Sequence, residues 1–115
     1  MAYHMLVAFD NSPGEPLFDE YLGTAASIDQ YWESVGRQLS LPIVSSITDR
    51  ADSEIGFAIE KEDLLSFKNE ITKLEEYWKN SNSDIATPDE FFIQLDEIKR
   101  GINIAILNSL KLIIG

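Results

Sequence analysis

The sequence predicts a single α+β domain, an α/β sandwich in which helices cover a four-stranded mixed sheet. Its 115 residues are close to the usual size of one domain, and 44% of them are hydrophobic. Short apolar runs rich in strand formers alternate with stripes of apolar residues at helical spacing. These runs and stripes follow one another in the order β-α-β-β-α-α-β, and one domain is expected to span residues 1–115.

Two terminal strands are predicted to lie side by side. Tyr3 to Phe9 forms an apolar run that ends at the turn-forming residues 10–14. Both of its faces are largely apolar, which favours a place in the interior of the sheet. Leu110 to Ile114 is the last predicted strand, and a strand at a chain terminus must be held by a neighbour, which we expect to be the first strand.

The middle of the chain is predicted to form an antiparallel hairpin. Ile43–Thr48 and Glu54–Glu60 are its strands, and residues 49–53 fit a hairpin loop. One face of the second strand is polar or small, which favours a position near an edge. Residues 15–24, before the first helix, are predicted to be a connector with one helical turn.

Three helices are predicted from apolar stripes. The first follows a cap at Thr24 or Ser27 and stops at Pro42, and the second runs from Leu64 to Trp78. The third begins at the capping box of residues 87–90. Together with the strands, these stripes predict a core of Val7, Phe9, Trp32, Val35, Phe57, Ile59, Phe67, Ile71, Leu74, Leu95, Ile98 and Ile102.

The charge of the chain indicates what kind of partner it would bind. The net charge is −11, and the first 36 residues hold six acidic side chains and no Lys or Arg. Such a field attracts basic proteins and repels nucleic acid and anionic membranes, neither of which is an expected partner. The apolar tract 102–114 is interrupted by polar residues and falls short of the about 20 residues of a membrane span. With no cysteine and no basic leader, the sequence favours a cytoplasmic protein.

Catalytic motifs are missing from the sequence. His4 is the only histidine, neither G-x-S-x-G nor G-x-G occurs, and no cofactor is expected. Asp49, Asp52 and Glu54 form a compact acidic segment, but they lack the register of a calcium loop, so no metal site is predicted. The sequence therefore favours a protein that is not an enzyme.

The candidate site is a surface for a basic protein partner. Loops on a rigid scaffold commonly carry binding, which favours the acid-rich N-terminal connector and the hairpin tip. A tyrosine on a helix flank can anchor a partner, and two Tyr-Trp pairs occur in the chain. The predicted partner-binding residues are Asp10, Glu15, Asp19, Glu20, Tyr31, Asp49 and Asp52.

The chain resembles the small immunity proteins of bacterial polymorphic-toxin and contact-dependent inhibition systems. Size, acidity, the lack of cysteine and of catalytic motifs, and the mixture of helices and strands carry the resemblance. So do the helix that starts at Glu62-Asp63-Leu64-Leu65 and the ending Leu110–Ile114. The resemblance implies a protein that binds a cognate toxin, often a cationic nuclease, and blocks or distorts its active site.

Three alternatives stay open on the sequence. An acidic regulator or nucleic-acid mimic would bind another basic protein, and a toxin gene directly upstream would argue against it. A small enzyme with an inconspicuous site would show a buried polar pocket with convergent titratable groups. A structural subunit of a homodimer or larger homo-oligomer would expose an apolar patch of several hundred Å².

Overall fold

Four strands form one sheet in the computed structural model, which describes residues 2–8, 16–51, 56–80 and 89–115. The strands are β1 (Ala2–Val7), β2 (Phe18–Thr24), β3 (Phe57–Ile59) and β4 (Leu112–Ile114). Their order across the sheet is β2-β1-β4-β3, and every neighbouring pair is antiparallel. The prediction of a mixed sheet is therefore wrong, whereas the α+β class is confirmed.

Three strand placements predicted from the sequence are confirmed. β1 is an interior strand, β4 lies beside it, and β3 is at an edge. Met5 of β1 lies opposite Ile114 of β4, and both side chains are completely buried. An interior strand needs apolar neighbours along its length, which is why β1 carries so few polar residues.

The segment before the first helix is the other edge strand, β2, and not a connector. Phe18 and Leu22 are buried on the core face, while Asp19 and Tyr21 are exposed. Acidic residues are weak strand formers, but pairing along β1 overrides that local preference. The register shifts between Tyr3 and His4, which marks a bulge in this pair.

The predicted strand over residues 43–48 is wrong as well. Residues Val44–Ser46 form a 3-10 turn, and Ile47–Ala51 form a short helix, α2. Val44, Ile47 and Ala51 are buried at helical spacing, so the apolar residues serve a helix and not a strand. The central hairpin does not form, and the element order in the described residues becomes β-β-α-α-β-α-α-β.

Two buried glutamates hold this turn and helix against the rest of the protein. Glu70 Oε1 accepts hydrogen bonds from the backbone N–H groups of Ile43 (3.0 Å) and Val44 (2.9 Å). Glu33 accepts from the backbone N–H of Thr48 at 3.2 Å and from its hydroxyl at 2.7 Å. The first N–H groups of a helix have no acceptor within the helix. Here the two carboxylates serve as the acceptors.

The three predicted helices are confirmed. Helix α1 consists of Ala25–Ile28, a π-helical turn Asp29–Glu33, and Ser34–Gln38. Thr24 caps it, because its hydroxyl accepts from the backbone N–H of Ser27 at 3.2 Å. Helix α3 spans Leu64–Lys79 and helix α4 spans Asp89–Leu107. Thr87 and Pro88, the first two residues of the predicted capping box, lie outside the described residues.

The core lies on one face of the sheet, where α4 contacts β1, β2 and α3. Every predicted core residue in the described ranges is buried, and Phe9 lies outside those ranges. Packing is close where the ring of Phe18 lies over Gly101 of α4: a Cβ atom there would come within 2.5 Å of the ring. Within the described ranges, no helix is long and apolar enough to cross a membrane.

Candidate binding groove

A groove of about 480 Å³ opens where β2 meets the first halves of α1 and α4. Its walls combine aromatic rings with two carboxylates. The residues that matter for its chemistry are Glu20 of β2, Tyr31 and Trp32 of α1, and Glu90 and Phe91 of α4. We call this site the β2 groove.

Strand alternation places Glu20 in the β2 groove. It lies opposite Met5 and between Phe18 and Leu22, all three of which face the core. Glu20 itself is half-buried. A carboxylate on the core-facing side of an edge strand stands against apolar walls, where its charge is less screened than on an open surface.

The aromatic wall is formed by rings from two helices. The ring of Phe91 lies 5.3 Å from that of Tyr31 and 6.3 Å from that of Trp32, measured between centroids. Tyr31 and Trp32 belong to the π-helical turn of α1. Such turns are rare in proteins, and those that occur are often at functional sites. The indole N–H of Trp78 donates to the Tyr31 carbonyl at 2.9 Å, which ties this turn to α3.

The floor of the groove is fixed by Gln94. Its side-chain amide donates to the backbone carbonyls of Tyr21 at 2.7 Å and Leu22 at 3.1 Å. These carbonyls belong to the edge strand, and an edge strand otherwise offers its backbone groups to other chains. Gln94 thus holds β2 against α4.

The carboxylates of the groove lack the pairing that several other described acids have. In the described residues, Glu20 and Glu90 form no ion pair and no side-chain hydrogen bond. By contrast, Asp29 pairs with Arg37 at 3.2 Å, and Glu75 pairs with Lys99 at 3.2 Å. The β2 groove therefore carries negative charge that no described basic side chain neutralises.

A second groove, of about 470 Å³, is chemically different. Leu39, Lys73, Glu76, Tyr77 and Asn80 line it. Both signs of charge occur on its walls, so it does not favour a cationic ligand as the β2 groove does.

The predicted site residues do not form one surface. Glu20 and Tyr31 meet in the β2 groove, whereas Asp19 points to the opposite face of the sheet. Asp49 is exposed on α2, which contacts β3 at the far edge of the sheet, and it is not at a hairpin tip. The other predicted residues, Asp10, Glu15 and Asp52, lie outside the described residues.

The histidine lies away from the groove. His4 Nδ1 is 3.0 Å from Asp19 Oδ1, and both side chains are about half exposed, at 47% and 50%. The ring of Tyr21 packs edge-on against the imidazole at a centroid distance of 5.4 Å. This pair stands on an open face and not in a deep pocket, and the absence of enzymatic turnover stays a prediction.

Of the residues that line the groove, only Glu20 and Tyr31 were predicted as site residues; Trp32, Glu90, Phe91 and Gln94 were not. Nothing in the local sequence joins Phe91 to Tyr31, which lies 60 residues earlier in the chain. In the described ranges, no group of three or more His, Asp and Glu side chains is placed to hold a metal ion.

Comparison of the chain with protein-family models, with curated proteins and with solved structures gave no match. The geometry of the β2 groove is therefore the basis for the function proposed below.

Proposed function

We propose that this protein is a non-catalytic binding protein and that its partner is a basic protein, engaged at the β2 groove. The observation that carries the proposal is the pair of carboxylates, Glu20 and Glu90, that no described basic side chain neutralises and that lie beside the rings of Tyr31 and Phe91. Aromatic residues are enriched at the centres of protein interfaces, and uncompensated negative charge is complementary to a positively charged partner surface. The net charge of −11 adds long-range attraction for a cationic partner.

We further propose that the partner is a toxin, so that the protein acts as an immunity protein. Supporting this are the small size, the strong acidity and the lack of a catalytic motif, on which the resemblance to immunity proteins rests. Neutralisation would follow if the bound surface of the toxin includes or adjoins its active site. The gene neighbouring that of this protein is the first candidate for the toxin.

Capture from the native host, followed by binding kinetics, tests the proposal. The key variant is Glu20→Lys combined with Glu90→Lys. Its matched control is Glu60→Lys with Glu62→Lys, which changes the charge equally on exposed residues that follow β3, at the other edge of the sheet. We expect the groove variant to bind much more weakly and the control to show only a slower association that salt abolishes.

Two results would contradict the proposal. One is the capture of an acidic partner. The other is an equal effect of the groove and control variants at every salt concentration, which would mean that overall charge and not the groove determines binding. The toxin assignment is tested separately: co-expression should rescue cells from the neighbouring gene product, and the groove variant should fail to rescue.

A further inference from the structure

We infer that the β2 groove binds the side chain of an arginine. This inference rests on the proposed function, because it names the group by which a basic partner would be anchored. It depends on three features of the site: an unpaired half-buried carboxylate, an aromatic wall, and a framework that is already fixed before a ligand arrives.

Glu20 is the group that selects a cation. It lies on the core-facing side of β2 and lines the groove, yet it has no partner in the described residues. A guanidinium group offers N–H donors in a planar fork that matches the two oxygens of a carboxylate. Glu90 places a second negative charge on the wall formed by α4.

The aromatic wall distinguishes arginine from lysine. Tyr31, Trp32 and Phe91 line the same groove as Glu20. A guanidinium group is weakly hydrated and stacks on aromatic rings, whereas an ammonium group is compact and holds its water strongly. Transfer from water into a groove with mainly apolar walls therefore costs less desolvation free energy for an arginine side chain than for a lysine side chain.

The groove is held in shape by contacts that do not involve a ligand. Trp78 fixes the turn that carries Tyr31, and Gln94 fixes the backbone of β2 next to Glu20. A preformed site spends less binding free energy on ordering its own side chains. A single arginine side chain is thus a sufficient probe of the site.

The experiment is an NMR titration of the labelled protein with three short peptides. They have the sequence acetyl-Gly-Ser-X-Ser-Gly-amide, where X is arginine, lysine or citrulline, the uncharged analogue of arginine. We expect the arginine peptide to shift the amide signals of groove residues and to bind about tenfold or more tightly than the other two. This ratio corresponds to about 1.4 kcal/mol of binding free energy.

Variants locate the binding. Glu20→Gln should weaken the arginine peptide about tenfold or more, and Tyr31→Leu should reduce its preference over lysine. Glu62→Gln, in the 3-10 turn that precedes α3 and at the opposite end of that helix from Trp78, should change the affinity by less than about twofold. If Glu20→Gln aggregates because an inward carboxylate protects the sheet edge, Glu90→Gln provides the same test.

The results that would overturn the arginine assignment differ from those that would overturn the proposed function. Equal binding of the arginine and lysine peptides, both dependent on Glu20, would overturn the arginine assignment and leave a basic partner in place. Shifts outside the groove, or none, would overturn the assignment altogether. The proposed function would fail separately, if the captured partner were acidic or insensitive to the groove variant.

Discussion

Removal of the Glu70 carboxylate should destabilise the protein even though that carboxylate is itself costly to bury. Glu70 is only 7% exposed, and it accepts from two backbone N–H groups in the turn before α2. In Glu70→Ala, the Val44 N–H is left in a completely buried residue without an acceptor, while the half-buried Ile43 N–H can be reached by water. A buried unsatisfied donor costs about 1–3 kcal/mol, which is the expected loss in the free energy of unfolding.

Glu70→Gln should behave differently, because its amide oxygen can accept the same two hydrogen bonds. Burial raises the pKa of Glu70 above 4.5, and this effect outweighs the two backbone hydrogen bonds and the charge of Lys73, which lower it. Since the folded state favours the protonated form, stability from this group is fully present below about pH 4.5 and is lost as the pH rises through the folded-state pKa. The glutamine variant should therefore gain most over the wild type at neutral pH.

Urea unfolding, followed by tryptophan fluorescence at pH 5, 6 and 7, gives both answers. Because other carboxylates titrate in the same range, the informative quantity is the difference in unfolding free energy between Glu70→Gln and the wild type at each pH. That difference should shrink as the pH falls. The reasoning would be refuted by a difference that grows on acidification, or by a Glu70→Ala variant within about 0.5 kcal/mol of wild type at neutral pH.

Three further substitutions probe packing, and all are measured by urea unfolding. Gly101→Ala should cost about 1–2 kcal/mol, because its Cβ would meet the ring of Phe18 at 2.5 Å; unchanged stability would mean that β2 can move away. Ile71→Ala should cost about 2–5 kcal/mol, whereas Leu65→Ala, 64% exposed in the same helix, should stay within about 0.5 kcal/mol. Trp78→Phe removes the hydrogen bond from the indole N–H to the Tyr31 carbonyl and should lower the free energy of unfolding by about 1 kcal/mol. An unchanged free energy of unfolding would show that this hydrogen bond is dispensable.

Helices were the part of the fold most accessible to sequence reasoning. The stripe through Phe67, Ile71 and Leu74 predicts both the span of α3 and the face it buries. Such a stripe is visible in a short stretch of sequence, because the apolar residues on one helix face recur every three or four positions. The first and last strands were also predictable, because each is a short apolar run of strand-forming residues. For the site, local patterns indicated Glu20 and Tyr31 individually but not that they face one groove.

The sequence by itself determined the apolar faces, the helices α1, α3 and α4, the central place of β1, and the acidic charge of the chain. Only the tertiary structure decided that residues 18–24 form a strand, because their pairing with β1 outweighs weak local preference. It also decided that residues 44–51 are helical, since Glu33 and Glu70 supply acceptors from 15 and 26 residues away. The β2 groove arises in the same way: Glu20, Tyr31 and Phe91 come from three elements, and their meeting depends on contacts that no short window of sequence contains.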